Sequence, residues 1–274
     1  LTTFLTIVSI ALSVTLLLGV ERIRTEARAS FTSTISGTDL IVGARSGPVQ
    51  LLLYSVFRIG NATNNISWQS YQEIARNPNI LWTVPISLGD SHKGYRVMGT
   101  NADYFEYFQY SGKRRLEMAD GRIFEGVYDA VLGAEVAKKL EYRLNDRIIL
   151  AHGAGKVSFI QHADKPFTVV GILKRTGTPV DQTIHVRLEG IEAIHIGWKE
   201  GAPIPGHSIS AENTLKMDLS PRLITAFFVG LKSRIAAFGV QRNINQYRGE
   251  PLLAILPGVA LAELWDLIGV AERA

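Results

Sequence analysis

The chain of 274 residues contains no cysteine, and its first twenty residues carry no charge. The first absence excludes a disulfide framework and any paired-cysteine metal or redox motif. It also fits an oxidising compartment, where stray thiols are a liability. Equally missing are a nucleophile elbow, an H-E-x-x-H helix and a dinucleotide fingerprint, so no catalytic residue is assigned and an enzyme is not expected. The formal charge is +4 with a pI near 9.3, but Lys and Arg are interspersed with acids rather than gathered in a stripe. No nucleic-acid partner is therefore expected.

One stretch imitates a phosphate loop. Residues 152–158 read HGAGKVS, with Gly155-Lys156 and a nearby hydroxyl. A working loop needs G-x-x-x-x-G-K-[ST] between a strand and a helix. Here Leu150 stands where the first glycine should be, and Val157 follows Lys156. The flanking segments, Arg147–Ala151 and Val157–Gln161, read as strands, so the stretch is expected to be a hairpin connector. No cofactor is expected within the chain.

The uncharged run LTTFLTIVSIALSVTLLLGV is the strongest signal. At ~1.5 Å per residue it spans ~30 Å as a helix, the thickness of a bilayer's hydrocarbon core. A cleaved signal peptide would suit the A-x-A pattern at Ala27-Arg28-Ala29. The run is too long for an h-region, however, and ERIRTEAR intervenes before that site. A buried core helix would show a polar stripe, and there is none. The expectation is a transmembrane helix over residues 1–20 and a helical stem over 21–34. By the positive-inside rule, which weighs both flanks of a span, Arg22, Arg24 and Arg28 on this flank would place the stem in the cytoplasm. The first residue is Leu rather than Met, and the last helical pattern has no stop signal, so the chain reads as a piece of a longer protein.

Beyond the stem, Asp39–Val42 reads as a strand, and Pro48 opens an apolar helix. Ser67 caps a helix that Pro78 stops. Strands at Ile80–Leu88 and Tyr95–Thr100 flank a GDSHKG turn, and NADYFEYFQY reads as a short helix. Strands follow at Asp129–Gly133, Phe167–Leu173 and Thr183–Val186, with helices at Ala134–Leu140 and across LEGIEAIHIGW. A strand at Leu223–Lys232, a helix at Ile235–Tyr247, a strand at Pro251–Leu256 and a helix from Val259 complete the pattern. The fold class is α+β: an N-terminal transmembrane helix, then a mixed α/β lobe from 35–112 and 202–258, interrupted by a β-rich lobe at 113–201. Residues 259–274 form a helix leading onward.

Polar clusters are sparse. Asp90-Ser91-His92 and His162-Ala163-Asp164 each set a carboxylate and an imidazole two residues apart, on one face if extended. Imidazole and carboxylate both suit zinc, and His92, His152, His162 and Asp164 are the candidates. No recognised metal spacing is present, and these residues read first as turn and strand-end polars that satisfy backbone groups, so no metal is assigned. GTPVD at 177–181 reads as a tight turn. Convergence of His92, His152, His162, His185 and His195 in space would separate a metal- or substrate-binding module from other readings. A membrane-anchored enzyme would instead need a deep polar pocket.

The stretches SGTDLIVGARSGPVQLLLYSVF, PISLGDSHKGYRVMGT, DAVLGAEVAKKL, HADKPFTVVGIL and TGTPVD, in this order behind an uncharged span, resemble the permease subunits of the MacB and FtsX type of ABC transporter. The resemblance implies a cytoplasmic N-terminus, a periplasmic core domain and a multi-pass protein of the bacterial inner membrane, and so overrides the charge rule. It implies ATP-Mg on a separate ABC-type ATPase subunit, and pairing with a second copy or a related permease. It also implies a periplasmic or outer-membrane partner, and mechanotransmission through the stem, near 18–31, and through the final helix, with export or extraction of a substrate as the work done.

Overall fold

The computed structural model describes residues 2–153, 162–199, 202–203 and 209–271. Helix α1 (Thr2–Ser33) runs unbroken for 32 residues, about 48 Å at 1.5 Å per residue. Over Thr2–Arg22 its mean hydropathy is 2.3, and none of that stretch is covered by protein. Phe4, Leu12 and Leu17 point outward on different sides, and an apolar surface all round suits lipid rather than water. The hydroxyls of Thr6 and Thr15 donate to the carbonyls of Thr2 and Ala11, at 3.0 and 2.7 Å. These two polar side chains of the span are thereby satisfied inside the helix, as hydrocarbon requires.

Past α1 the chain builds one 11-stranded sheet. In chain order its strands are β1 (Leu40–Ala44), β2 (Ile80–His92), β3 (Tyr95–Thr100), β4 (Met118–Gly121), β5 (Asp129–Leu132), β6 (Arg147–Ile148), β7 (Ala151–His152), β8 (Phe167–Leu173), β9 (Thr183–Arg187), β10 (Ala226–Leu231) and β11 (Leu252–Ile255). The order across the sheet is β11-β1-β10-β2-β3-β9-β5-β8-β4, with β7 paired to β2 and β6 to β8. The pairs β9–β3 and β5–β8 are parallel; the others are antiparallel. Strands from the two ends of the chain thus occupy one side of the sheet, and those from its middle the other. The long strand β2 lies where the two groups meet.

Helices α2 (Pro48–Ser55), α3 (Trp68–Ala75), α4 (Asp103–Tyr107), α5 (Ala134–Leu140), α6 (Leu188–His195), α7 (Ala237–Asn245) and α8 (Pro257–Ala271) cover the sheet. Successive side chains of a strand alternate between faces. Ile41 and Phe228 accordingly join Leu51, Tyr54 and Tyr104 in one core, while Leu40, Val42, Phe227 and Val229 join Tyr71 and Val240 in another. A third core gathers Val97, Leu132, Val186 and Ile191 under α5 and α6. Because β1 is covered on both faces, it reads as an unbroken apolar run rather than an alternating one. Local rules place the helix starts: Pro48 opens α2, and the Ser67 hydroxyl accepts the Ser70 amide at the start of α3.

Several expectations need correction. The strand expected at Arg147–Ala151 is two short ones, β6 paired with β8 and β7 paired with β2. The strand expected at Ile80–Leu88 continues to His92, and the turn shrinks to Lys93-Gly94, both with positive φ (47° and 85°). This is the two-residue hairpin whose twist matches its strands. The helix expected across NADYFEYFQY is only Asp103–Tyr107, because Gln109–Tyr110 pairs with Arg114–Arg115. The strand expected at Leu223–Lys232 is split: Leu223–Ile224 leaves the main sheet to pair with Ile66–Ser67. The helix at Ile235–Tyr247 begins at Ala237, behind a single 3-10 turn. The strand expected at Val157–Gln161 and the connector from residue 154 onward lie outside the described residues, while His152 at the connector's start belongs to β7.

Candidate functional site

The site grows from the irregularity that carries β2 past Leu88. Leu88 pairs with Met98, but the next pair is Ser91 with Arg96, so β2 holds one residue more than its partner there. An extra residue in one strand re-aims the side chains around it. Just beyond, Asp90 lies directly across from His152, and Ser91 from Ala151, where β7 pairs with β2. The Asp90 carboxylate is carried into the protein and is 2% exposed.

Two further imidazoles meet it. The His162 amide donates to the Leu150 carbonyl at 2.9 Å, which turns its ring inward to complete burial. His195 is the last residue of α6, and α6 lies hard against β3: a Cβ added at Gly99 would come within 2.6 Å of Ile191 Cγ1. His152 Nδ1 is 3.1 Å from His195 Nε2 and 3.4 Å from Asp90 Oδ1, and His195 Nε2 is 3.5 Å from the same oxygen. The donor atoms of all four side chains lie within 4.8 Å of one another. The Trp198 indole packs over the group, with its ring centroid 4.2 Å from that of His162.

The electrostatics follow from this packing. Burial alone would raise the Asp90 carboxyl, but the imidazoles of His152 and His195 override it and hold the pKa down to about 2. Burial would lower His195, and the Asp90 carboxylate reverses this, so the ring is more basic than usual. His162 lies deeper; its burial, helped by the charge of His195, pushes it down to about 4. At 3.4 and 3.5 Å the contacts of Asp90 Oδ1 are ion-pair distances, and it has no hydrogen bond of its own among the described residues. Neither ring nitrogen of His162 has a hydrogen-bond partner among the described residues.

Residues 3–219 match the family described as MacB-like periplasmic core domain. The chain belongs to that family. It is therefore the periplasmic core domain of an ABC-type transporter permease, membrane-anchored through α1, and membership implies an ABC-type ATPase partner in general terms. Among solved structures it is similar to the periplasmic region of MacB from Actinobacillus actinomycetemcomitans, at 11% identity and a TM-score of 0.47 over 85% of this chain and 95% of that one. It is also similar to the extracellular domain of YknZ, a noncanonic ABC-type transporter from Gram-positive bacteria, at 14% identity and a TM-score of 0.44 over 80% and 99%. No curated protein matches the chain.

In this MacB-like core domain the sequence candidates fall into two groups. His152 and His162 come together, and the structure adds Asp90 and His195. His92 stays apart: its Nδ1 lies 2.7 Å from the Ile149 carbonyl and its Nε2 2.8 Å from the Tyr142 hydroxyl, so both nitrogens serve the fold. Asp164 pairs with the buried ammonium of Lys165 at 3.2 Å. His185 is sealed in the core against Tyr104. The Asp181 carboxylate closes the GTPVD turn, accepting from the Thr176 amide, the Thr176 hydroxyl and the Gly177 amide, each at 2.8 Å. His195 carried one local signal, its place at the C-terminal end of an amphipathic helix; the helix expected across LEGIEAIHIGW, with Trp198 on its apolar side, stops at His195, and Trp198 lies instead in a short strand opposite Pro203.

Proposed function

We propose that this chain is the moving arm of a MacB/FtsX-type permease of the bacterial inner membrane, multi-pass in the complete protein, in which ATP hydrolysis on a separate subunit drives periplasmic work. The observation that carries this reading is the link between the two ends of the domain. The span and stem form the single helix α1, which delivers the chain to β1. β1 is hydrogen-bonded to β11, with Ile41 opposite Ile255, and β11 runs directly into α8. A shift of α1 along its axis is thus applied to the same strand pair that carries α8. Stiff helices and a packed sheet pass a small displacement onward without any catalytic group.

On this reading the strands β1, β2, β3, β10 and β11 belong to the lobe nearer the membrane, and the strands of 113–201 to an inserted lobe. The permease pairs with a second copy or a related chain, and a periplasmic or outer-membrane partner receives the work as export or extraction of a substrate. The test is a proline in the stem. Arg24→Pro breaks the helical ladder and costs about 3 kcal/mol locally. In the transporter purified with its ATPase, the substitution is expected to leave subunit association and basal ATP hydrolysis intact while abolishing transport. Failure of any ATPase to copurify, or full transport with the kinked stem, would count against the reading.

A further inference from the structure

We propose that Asp90, His152, His162 and His195 together bind one divalent transition-metal ion of the zinc class. Three imidazole nitrogens and one carboxylate oxygen form a donor set that such an ion favours, whereas calcium and magnesium call for oxygen ligands. The spacing fits as well. Bonds of ~2.0–2.1 Å from a tetrahedral ion place its ligand atoms ~3.4 Å apart. Three of the pairs here are separated by 3.1, 3.4 and 3.5 Å. No pair is wider than 4.8 Å, so small rotations of the side chains complete the shell.

The surroundings are prepared in the manner of a metal site. His195 Nδ1 lies 2.8 Å from the Ile191 carbonyl. A proton donated there leaves the lone pair of Nε2 directed at the centre of the group, which is how the partners of metal-bound histidines fix the tautomer. His162 supplies the deciding observation. Its ring is 0% exposed, and neither nitrogen has a partner among the described residues. A buried polar atom without a partner is costly, and bulk water cannot reach this one. A proton shared among Asp90, His152 and His195 would hold those three together but leave both nitrogens of His162 without a partner, whereas a metal ion engages all four side chains, one nitrogen of His162 among them.

Four protein ligands leave no open position for an activated water, so the ion would be a clamp and not a hydrolytic centre. It would join β2, β7, the segment that begins at His162 and the end of α6. The half-exposed His152 ring, 39% accessible, gives the ion a route from solvent.

The full chain in detergent micelles, stripped with a chelator, is titrated with Zn²⁺ by calorimetry and with Co²⁺ by visible absorption. We expect one ion per chain, an intense tetrahedral-type Co²⁺ spectrum and a raised unfolding temperature with Zn²⁺. His162→Ala is expected to weaken binding at least ~100-fold, the upper range for loss of even an outer partner of a metal ligand. His152→Ala, at a half-exposed position where folding is least disturbed, should do the same with an unchanged near-UV dichroism spectrum, and Asp164→Asn should bind as the parent does. Absence of saturable binding, a weak octahedral-type spectrum, or binding that survives both histidine substitutions would overturn the proposal and leave a proton as the only occupant. The readout is the bound ion itself, so it does not depend on coupling to an ATPase.

Discussion

Ile41 and Ile255 stand opposite one another on β1 and β11, the first shortly after the stem ends and the second just before α8 begins. Both are at most 3% exposed and share one core with Tyr54 and Phe228. This pair ties the entrance of the domain to its exit, and it is held by packing as well as by the strand ladder. Ile255→Ala should therefore cost about 2–5 kcal/mol, the usual loss for removing a buried aliphatic side chain. The lowered midpoint of urea unfolding measures it, with an unchanged slope showing that the unfolded state is the same.

Gly99 is where α6 touches β3. A side chain there would meet Ile191 at once, so Gly99→Val should overpack the contact and cost ~1–3 kcal/mol. Because His195 ends the same helix, the substitution should also weaken Zn²⁺ binding. Gly89→Ala, at an open position one residue from Asp90, should leave stability within about 0.5 kcal/mol of the parent. Calorimetry on both variants, with thermal melts beside it, separates displacement of α6 from general damage.

His185 should make the fold acid-sensitive. Its ring is fully buried, stacked on Tyr104 and beside Phe105, with Nδ1 3.3 Å from the Val131 carbonyl. Burial, aided by the nearby charge of Arg58, pushes its pKa down to about 3. The unfolded chain takes up the proton near pH 6.5 and the folded one does not. Stability is therefore full above pH ~6.5 and falls by up to ~1.4 kcal/mol per pH unit as the pH drops toward 3. His185→Phe keeps the aromatic packing and should remove this share of the slope in urea unfolding at pH 7, 6 and 5. An unchanged slope would show that His185 accepts a proton in the fold.

Asp181 holds its turn through three hydrogen bonds from Thr176 and Gly177 while 3% exposed. Asp181→Ala leaves those donors unsatisfied and should cost ~3 kcal/mol. Asp181→Asn, which still accepts but carries no charge, should cost less. A ranking of parent above Asn above Ala in thermal unfolding would support the turn role; equal stabilities would refute it.

The span, the helix starts at Pro48 and Ser67, and the strand Phe167–Leu173 were legible because each rests on a rule local in sequence. Hydropathy of one window, a cap within one turn and alternation along one strand need no distant partner. The breaks in that legibility share a cause. Leu223–Ile224 looks continuous with β10, yet it pairs with Ile66–Ser67, a choice made by a segment more than 150 residues away. His92 and Asp90 look alike two residues apart, but the Tyr142 hydroxyl and the Ile149 carbonyl claim one while His152 faces the other.

By itself, then, the sequence determined the membrane helix, its continuation as a stem and most of the elements behind it, because apolar periodicity and end signals act over a few residues. Tertiary structure alone decided the cluster. Asp90 and His195 are brought within 3.5 Å by a bulged strand and by a helix seated on Gly99. The closeness of two side chains so far apart along the chain depends on how the sheet stacks its strands, which no local spacing encodes.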